Sequence, residues 1–131
     1  MSNRLLLDTH VFLWLLTEPE RLGDGMVTVQ AADVELLVSA ASSWEIAVKY
    51  GLGKIPLPEP PARYVPSRLR AIGAVPVAIE HSHALAVADL PPLHRDPFDR
   101  LLVAQALALG LRIVTHDPQV ARYPVDAVLV G

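Results

Sequence analysis

Short apolar runs alternate along this chain with longer segments of helical period. Arg4-Leu5-Leu6-Leu7-Asp8 is a continuous apolar run of strand length, the pattern of a strand buried on both faces of a parallel sheet. Thr9 to Leu16 follows with helical character and stops near Glu18-Pro19. Gly23 and Gly25 punctuate a loop, and Met26 to Ala32 forms a further short helix. Leu36-Leu37-Val38-Ser39 repeats the buried-strand pattern and leads into a helix over Ser42 to Tyr50, ended by Gly51 and Gly53. Pro56 to Pro61 is a connector. Arg63 to Ile72 is helical, with Pro66 near its start, because proline is tolerated in a first turn. Ala74 to Ile79 is a third strand, Glu80 to Asp89 a helix, and Leu90 to Arg95 a loop. Pro97 to Leu109 is an almost wholly apolar helix capped by Gly110. Arg112 to Thr115 is a fourth strand, and Val128 to Val130 a possible fifth.

Strands alternating with helices predict an α/β domain with a central parallel sheet of four to five strands between helical layers, spanning residues 1–131. In such sheets ligands sit beyond the carboxyl ends of the strands, where the strand order reverses. Composition narrows the class. Apolar residues make up 52% of the 131 residues and charged residues only 19%, which excludes disorder. That apolar excess is large for a small chain and points to a covered partner surface. There is no cysteine, which excludes disulfide scaffolds, zinc fingers, iron–sulfur sites and thiol catalysis. The apolar run Leu101 to Leu109 is broken by Gln105 and too short to span a bilayer. The start, Met1-Ser2-Asn3-Arg4, does not read as a signal peptide, so a cytoplasmic location is expected. A net charge of −3 disfavours a plain nucleic-acid-binding module, but two divalent cations would bring it to +1.

Four acids fall where the sheet rule directs attention. Asp8 ends the first strand, Glu45 stands in the first turn of the helix after the second strand, Asp99 opens the apolar helix beside Asp96, and Asp117 follows the strand Arg112 to Thr115. Each has a structural explanation by itself. Asp8 and Asp117 suit helix N-caps; Ser42-x-x-Glu45 suits a capping box, and Glu45 pairs at i,i+4 with Lys49; Asp96-Pro97 suits a cap and first helical residue. Proline disfavours helical geometry in the residue before it, which puts Asp96 outside the helix, capping Phe98 or Asp99. Taken together the acids say more. Asp99 shares a helix face with Leu102, Val103 and Ala106 and points to the core side, where an unpaired carboxylate is costly. No lysine or arginine is obviously placed to neutralise all four. Clustered carboxylates hold protons unless a cation sits among them. Oxygen ligands without cysteine select a hard ion, Mg²⁺ with Mn²⁺ as substitute, and such a site supports attack of water on a phosphate ester.

The motifs resemble a known family. Leu5-Leu6-Leu7-Asp8-Thr9-His10-Val11-Phe12-Leu13-Trp14 resembles the opening of a PIN domain with an Asp-Thr-His start. Ser39 to Ala47 is similar to its second acidic block, His94-Arg95-Asp96-Pro97-Phe98-Asp99-Arg100 and its flanks to the third, and Thr115-His116-Asp117 to the fourth. The resemblance implies a three-layer α/β/α fold and a VapC-like ribonuclease, the toxin of a toxin–antitoxin pair. It further implies a homodimer, inhibition by a small antitoxin, and products with a 5′-phosphate and a 3′-hydroxyl. Carried over by position, Asp8, Glu45, Asp99 and Asp117 form the acidic metal site, supported by Thr9, Thr115 and Asp96. Lys49, Arg95 and Arg100 are the nearest bases for RNA phosphates, their alternative being solvated ion pairs. His94 and His116 adjoin the site acids and are substrate contacts or loop histidines. His81-x-His83 is not a metal pair, because residues two apart do not share a helix face. Trp14 and Trp44 fit core or dimer packing. Phe12 to Leu16 or Leu52 to Leu57 would offer apolar surface to an antitoxin.

Competing classes fare less well. A phosphoacceptor receiver domain needs an acid pair after its first strand and a late lysine, and neither is here. A non-catalytic RNA-binding protein is disfavoured by the four acids and the negative charge. A DNA nuclease stays open, because the acids act on the phosphate and do not read the sugar.

Overall fold

In the computed structural model, residues 3–131 are described; Met1 and Ser2, and the part of the start-of-chain reading that rests on them, lie outside. The elements run β1 (Arg4–Leu7), α1 (Thr9–Thr17), α2 (Gly25–Val29), β2 (Glu35–Ser39), α3 (Ala40–Gly51), α4 (Pro61–Ile72), β3 (Val75–Val77), α5 (His81–Ala86), α6 (Pro97–Leu109), β4 (Arg112–Thr115) and β5 (Ala127–Leu129). Short 3₁₀ turns stand at Pro19–Leu22, Val87–Asp89 and Val120–Arg122. All five strands are parallel, in the order β3-β2-β1-β4-β5.

The leucine run explains why β1 is central. Leu5, Leu6 and Leu7 are fully buried, and each such side chain is worth roughly 1.5–3 kcal/mol when taken out of water. Only a strand covered on both faces hides all three, since successive side chains point to opposite sides. Leu5 and Leu7 join Val38 and Val114 on one face, under Val11 and Phe12 of α1, Ile46 of α3, and Tyr64 and Val65 of α4. Leu6 joins Leu37 and Ile113 on the other, under Leu102, Val103 and Ala106 of α6. The result is the expected α/β/α layering.

Several boundaries differ from the sequence reading. Helix α3 begins at Ala40, two residues early, because Ser39 and not Ser42 caps it: the Ser39 hydroxyl accepts the Ala41 N–H at 2.9 Å. The Ser42–Glu45 capping box is therefore not formed, and Glu45 sits in the second turn. Helix α4 starts at Pro61, so Pro66 lies inside it rather than near its start. The predicted helix Met26–Ala32 reduces to Gly25–Val29, and the strand Ala74–Ile79 to Val75–Val77. Phe12 is fully buried and Leu13, Trp14, Leu15 and Leu16 pack against the core, so that segment is not a free surface; Leu57 also packs inward, while Leu52 is 65% exposed. No helix among the described residues is long and apolar enough to cross a membrane.

Candidate metal centre

Strand order reverses at β1, between β2 and β4, and the acids gather beyond the carboxyl ends of these strands. Asp8 is both cap and site acid. One oxygen accepts the Val11 N–H at 2.8 Å, capping α1, and the other accepts the Thr115 hydroxyl at 2.6 Å across the β1–β4 seam. Thr115 in turn accepts the Asp117 N–H at 3.0 Å, so a single hydroxyl at the end of β4 ties two site acids together. Asp8 is almost wholly buried, and desolvation pushes its carboxyl above the usual range against the pull of these hydrogen bonds.

Asp99 stands in the first turn of α6, its side chain 19% exposed. Burial raises its pKa most, followed by the neighbouring charges of Asp96 and Asp8; His94 opposes them, and the carboxyl is pushed up to about 7. The same interactions place Asp8, Glu45 and Asp96 within electrostatic reach of Asp99. Asp96 accepts the Phe98 and Asp99 N–H groups at 2.8 and 3.2 Å, the cap expected from its position before Pro97.

His94 plays a larger part than the sequence suggested. Its Nε2 lies 3.1 Å from Asp99 Oδ2 and 2.9 Å from Asp117 Oδ2, while Nδ1 receives the Asp96 N–H at 3.3 Å. An accepting Nδ1 leaves the proton on Nε2, which then bridges the two carboxylates. His94, Asp99 and Asp117 bring ligand-type atoms within 4.8 Å of one another, the spacing of a metal cluster. A histidine two residues before the Asp-Pro cap is the signal that pointed to it. His116, the other flanking histidine, turns instead toward an aromatic cluster with His10 and Trp14 at ring-centroid distances of 5.1 and 4.6 Å.

Glu45 is 2% exposed, and Lys49 bonds its Oε2 at 2.5 Å. This is the i,i+4 pair expected from the sequence, and it ties up one oxygen of one acid without neutralising all four. Glu45 Oε1 is buried without a hydrogen-bond partner among the described residues. An orphaned carboxylate oxygen beside three acids, one of them pushed to about 7, fits a site made to hold a hard divalent cation.

The remaining expectations divide. The Thr9 hydroxyl donates to Ser42 Oγ at 3.0 Å, holding α1 against α3 and so supporting Glu45 from behind. Arg100 is engaged within the fold: its guanidinium donates to the carbonyls of Pro91 and Val87 at 3.1 and 3.0 Å and to the Tyr123 hydroxyl at 3.1 Å, clasping the loop before α6. Arg95 is exposed. His83 is buried, receives the Glu80 N–H on Nδ1 at 3.1 Å, and contacts Gln105, which also bonds the Ala78 carbonyl and Ser39. Gln105, the one polar break in the apolar helix, thus links α6 to the cap of α3. Trp44 is 57% exposed with its ring edge on Phe98, so it is no core residue; Trp14 is partly buried, packs on the core and carries Arg21 over its face at 4.2 Å. Asp117 accepts the Gln119 N–H at 2.9 Å but caps no α-helix, because only a 3₁₀ turn follows at Val120–Arg122. The largest cavity, about 650 Å³, adjoins Val34 and Leu36 at the opposite, amino end of β2, away from the acids.

Comparison with known proteins bears on the family and the fold. The PIN domain matches residues 5–126. The chain is 53% identical over 98 residues to a protein of Mycobacterium tuberculosis named Ribonuclease VapC16, covering 75% of this chain and 60% of that protein, so it spans less than two thirds of that relative. It is 35% identical over 117 residues to Ribonuclease VapC22 of the same organism, covering 86% of each. Among solved structures, VapBC2 from Rickettsia felis bound to a promoter DNA fragment superimposes with a TM-score of 0.71 at 14% identity, over 98% of this chain and 99% of that one.

Proposed function

The chain belongs to the PIN-domain family, and on that premise we propose that it is a divalent-metal-dependent endoribonuclease, the toxin of a toxin–antitoxin pair, acting as one domain in the cytoplasm. The observation that carries the reading is the convergence of Asp8, Glu45, Asp99 and Asp117, from four separate segments, on the point where the strand order reverses. Two relatives named as ribonucleases support RNA as the substrate.

Asp8, Asp99 and Asp117 are the residues to hold the cation, with His94 as a fourth donor or as the group that leaves Asp99 and Asp117 when the ion arrives. A bound Mg²⁺ or Mn²⁺ supplies a water of lowered pKa and offsets charge on the scissile phosphate. The chain's own groups do the rest. Glu45 Oε1, free of other duties, accepts a hydrogen bond from the attacking water and orients it. Lys49 holds Glu45 in place by bonding its other oxygen. Thr115 holds Asp8 and Asp117 in register.

The partners follow from surfaces. Trp44, Val48 and Leu52 recur every four residues along α3 and are 57%, 38% and 65% exposed, an apolar stripe suited to an antitoxin helix or strand. Leu85 and Leu107, exposed on the adjoining α5 and α6, suit a second copy of the chain. Purified protein freed of antitoxin should cut single-stranded or structured RNA with Mg²⁺ or Mn²⁺ and stop in EDTA. Equal cleavage in EDTA would overturn the metal mechanism, and cleavage of DNA alone would overturn the substrate.

A further inference from the structure

A cavity of about 280 Å³ opens between α1 and the second half of α3, and it shares Glu45 with the acidic cluster. We propose that it takes one nucleotide of the strand being cut, next to the scissile bond, with Lys54 meeting a phosphate and Leu13 and Ile55 flanking the base. The proposal rests on the nuclease reading above and names a substrate site for it.

Three observations carry it. The first is adjacency. Glu45 and Lys49 lie on successive turns of α3 and line both the cavity and the acid site, so a strand whose phosphate reaches the acids must put its neighbouring residue here. The volume lies just under the common range for ligand pockets, about 300–1,000 Å³, and suits one nucleotide rather than a run.

The second is charge. A cluster of carboxylates repels a polyanion, so the strand needs cations beside it. Lys49 is taken up by Glu45, and Arg100 by backbone carbonyls and Tyr123. Lys54 is exposed, lines the cavity, and its ammonium has no partner among the described residues.

The third is that the chain places Lys54 there by construction. Gly53 takes a φ of +72°, a conformation open to glycine, and its N–H bonds the Tyr50 carbonyl at 3.0 Å. The Lys54 N–H then bonds back to the Lys49 carbonyl at 2.8 Å, folding the chain over the end of α3. Ile55 follows onto the cavity wall opposite the apolar Leu13 of α1, with exposed His10 one turn before Leu13. An apolar slot beside a free ammonium matches a base and its phosphate.

The test compares wild-type protein with Lys54→Gln and Lys54→Arg, which change an exposed side chain and leave the fold intact by melting temperature. Binding of a fluorescein-labelled single-stranded RNA oligonucleotide is measured by anisotropy in EDTA, and cleavage kinetics with Mg²⁺. Lys54→Gln should raise Kd and KM about fivefold, change kcat far less, and flatten the slope of log K against log salt by about 0.7, one phosphate contact on a single strand. Lys54→Arg should restore both. An unchanged Kd, KM and salt slope in a protein that still cleaves overturns the proposal. So does normal RNA binding with lost affinity for the inhibitory protein, which would assign the cavity to a protein partner. If the wild-type protein cuts no nucleic acid, the nuclease reading fails, and the EDTA binding arm still decides whether Lys54 meets a nucleic acid.

Discussion

The two helices that bring acids to the cleft treat them in opposite ways. On α3, Glu45 is almost fully buried, and a lysine one turn on bonds one of its oxygens. On α6, Asp99 is less buried but faces Asp96, Asp8 and Glu45 against the opposing charges of His94 and Lys49, and its pKa climbs to about 7. Burial raises the Asp99 carboxyl most, and the like charges of Asp96 and Asp8 push it further. On the α3 wall a lysine holds one oxygen of the acid and leaves the other without a partner, while on the α6 wall the acids crowd around a histidine.

The largest effect that would break this contrast is Asp99→Asn. It keeps the shape and removes the charge, so cleavage should fall on the order of a hundredfold or more, since the cation loses a ligand where charge develops. In the metal-free protein at pH 8 the same change should raise Tm, because it relieves crowding among like charges. A lower Tm would mean that Asp99 holds the fold together.

The second is a pH profile. The Asp99 carboxyl titrates near 7 in the fold against a usual 3.8. Below about pH 4 it is protonated in both states and contributes nothing. As pH rises toward 7 the unfolded chain ionises first, so the metal-free fold loses stability across that window, and the loss is complete above it. Thermal melts in EDTA should show this decline, Asp99→Asn should flatten it, and Mn²⁺ should reverse it increasingly from pH 6 to 8 as it displaces the proton.

On the other wall, Lys49→Ala strands the Glu45 charge. Lys49 is partly exposed, so the cost is roughly 1–3 kcal/mol rather than that of a fully buried pair. Adding Glu45→Gln should recover most of it in urea denaturation; additive losses would show that the pair does not couple. The smallest effect concerns Asp96. Asp96→Ala should cost about 1 kcal/mol as a lost N-cap, while Asp96→Asn keeps the cap and much of the activity. Loss of metal affinity in Asp96→Asn would make Asp96 a ligand.

How much of this was legible differs between the walls. Asp96 as a cap and Asp99 as an inward acid followed from Pro97 and the apolar face behind it, which are local facts. The Glu45–Lys49 pair was visible as an i,i+4 spacing, but the depth of its burial was not, and neither was the Ser39 cap that shifts α3 by two residues. Arg100 shows the limit: beside two acids in sequence it reads as a phosphate contact, and in space it clasps the Val87–Pro91 loop, because a guanidinium in reach of several carbonyls binds them.

By itself the sequence determined the α/β class, the parallel sheet, and the acids at its strand ends, because burial on two faces and the punctuation of helices are written in the order of residues. It also pointed to a hard cation, since the acids offer only oxygen, whereas the fold adds the His94 nitrogen to the cluster. Only the tertiary structure decided that Thr115 joins Asp8 to Asp117, that His94 bridges Asp99 and Asp117, and that Gln105 ties α6 to the cap of α3. The Thr115–Asp8, His94–Asp117 and Ser39–Gln105 contacts link residues far apart in the chain, and hydrogen bonds of a few ångströms depend on how helices pack on the sheet. No local pattern carries that information.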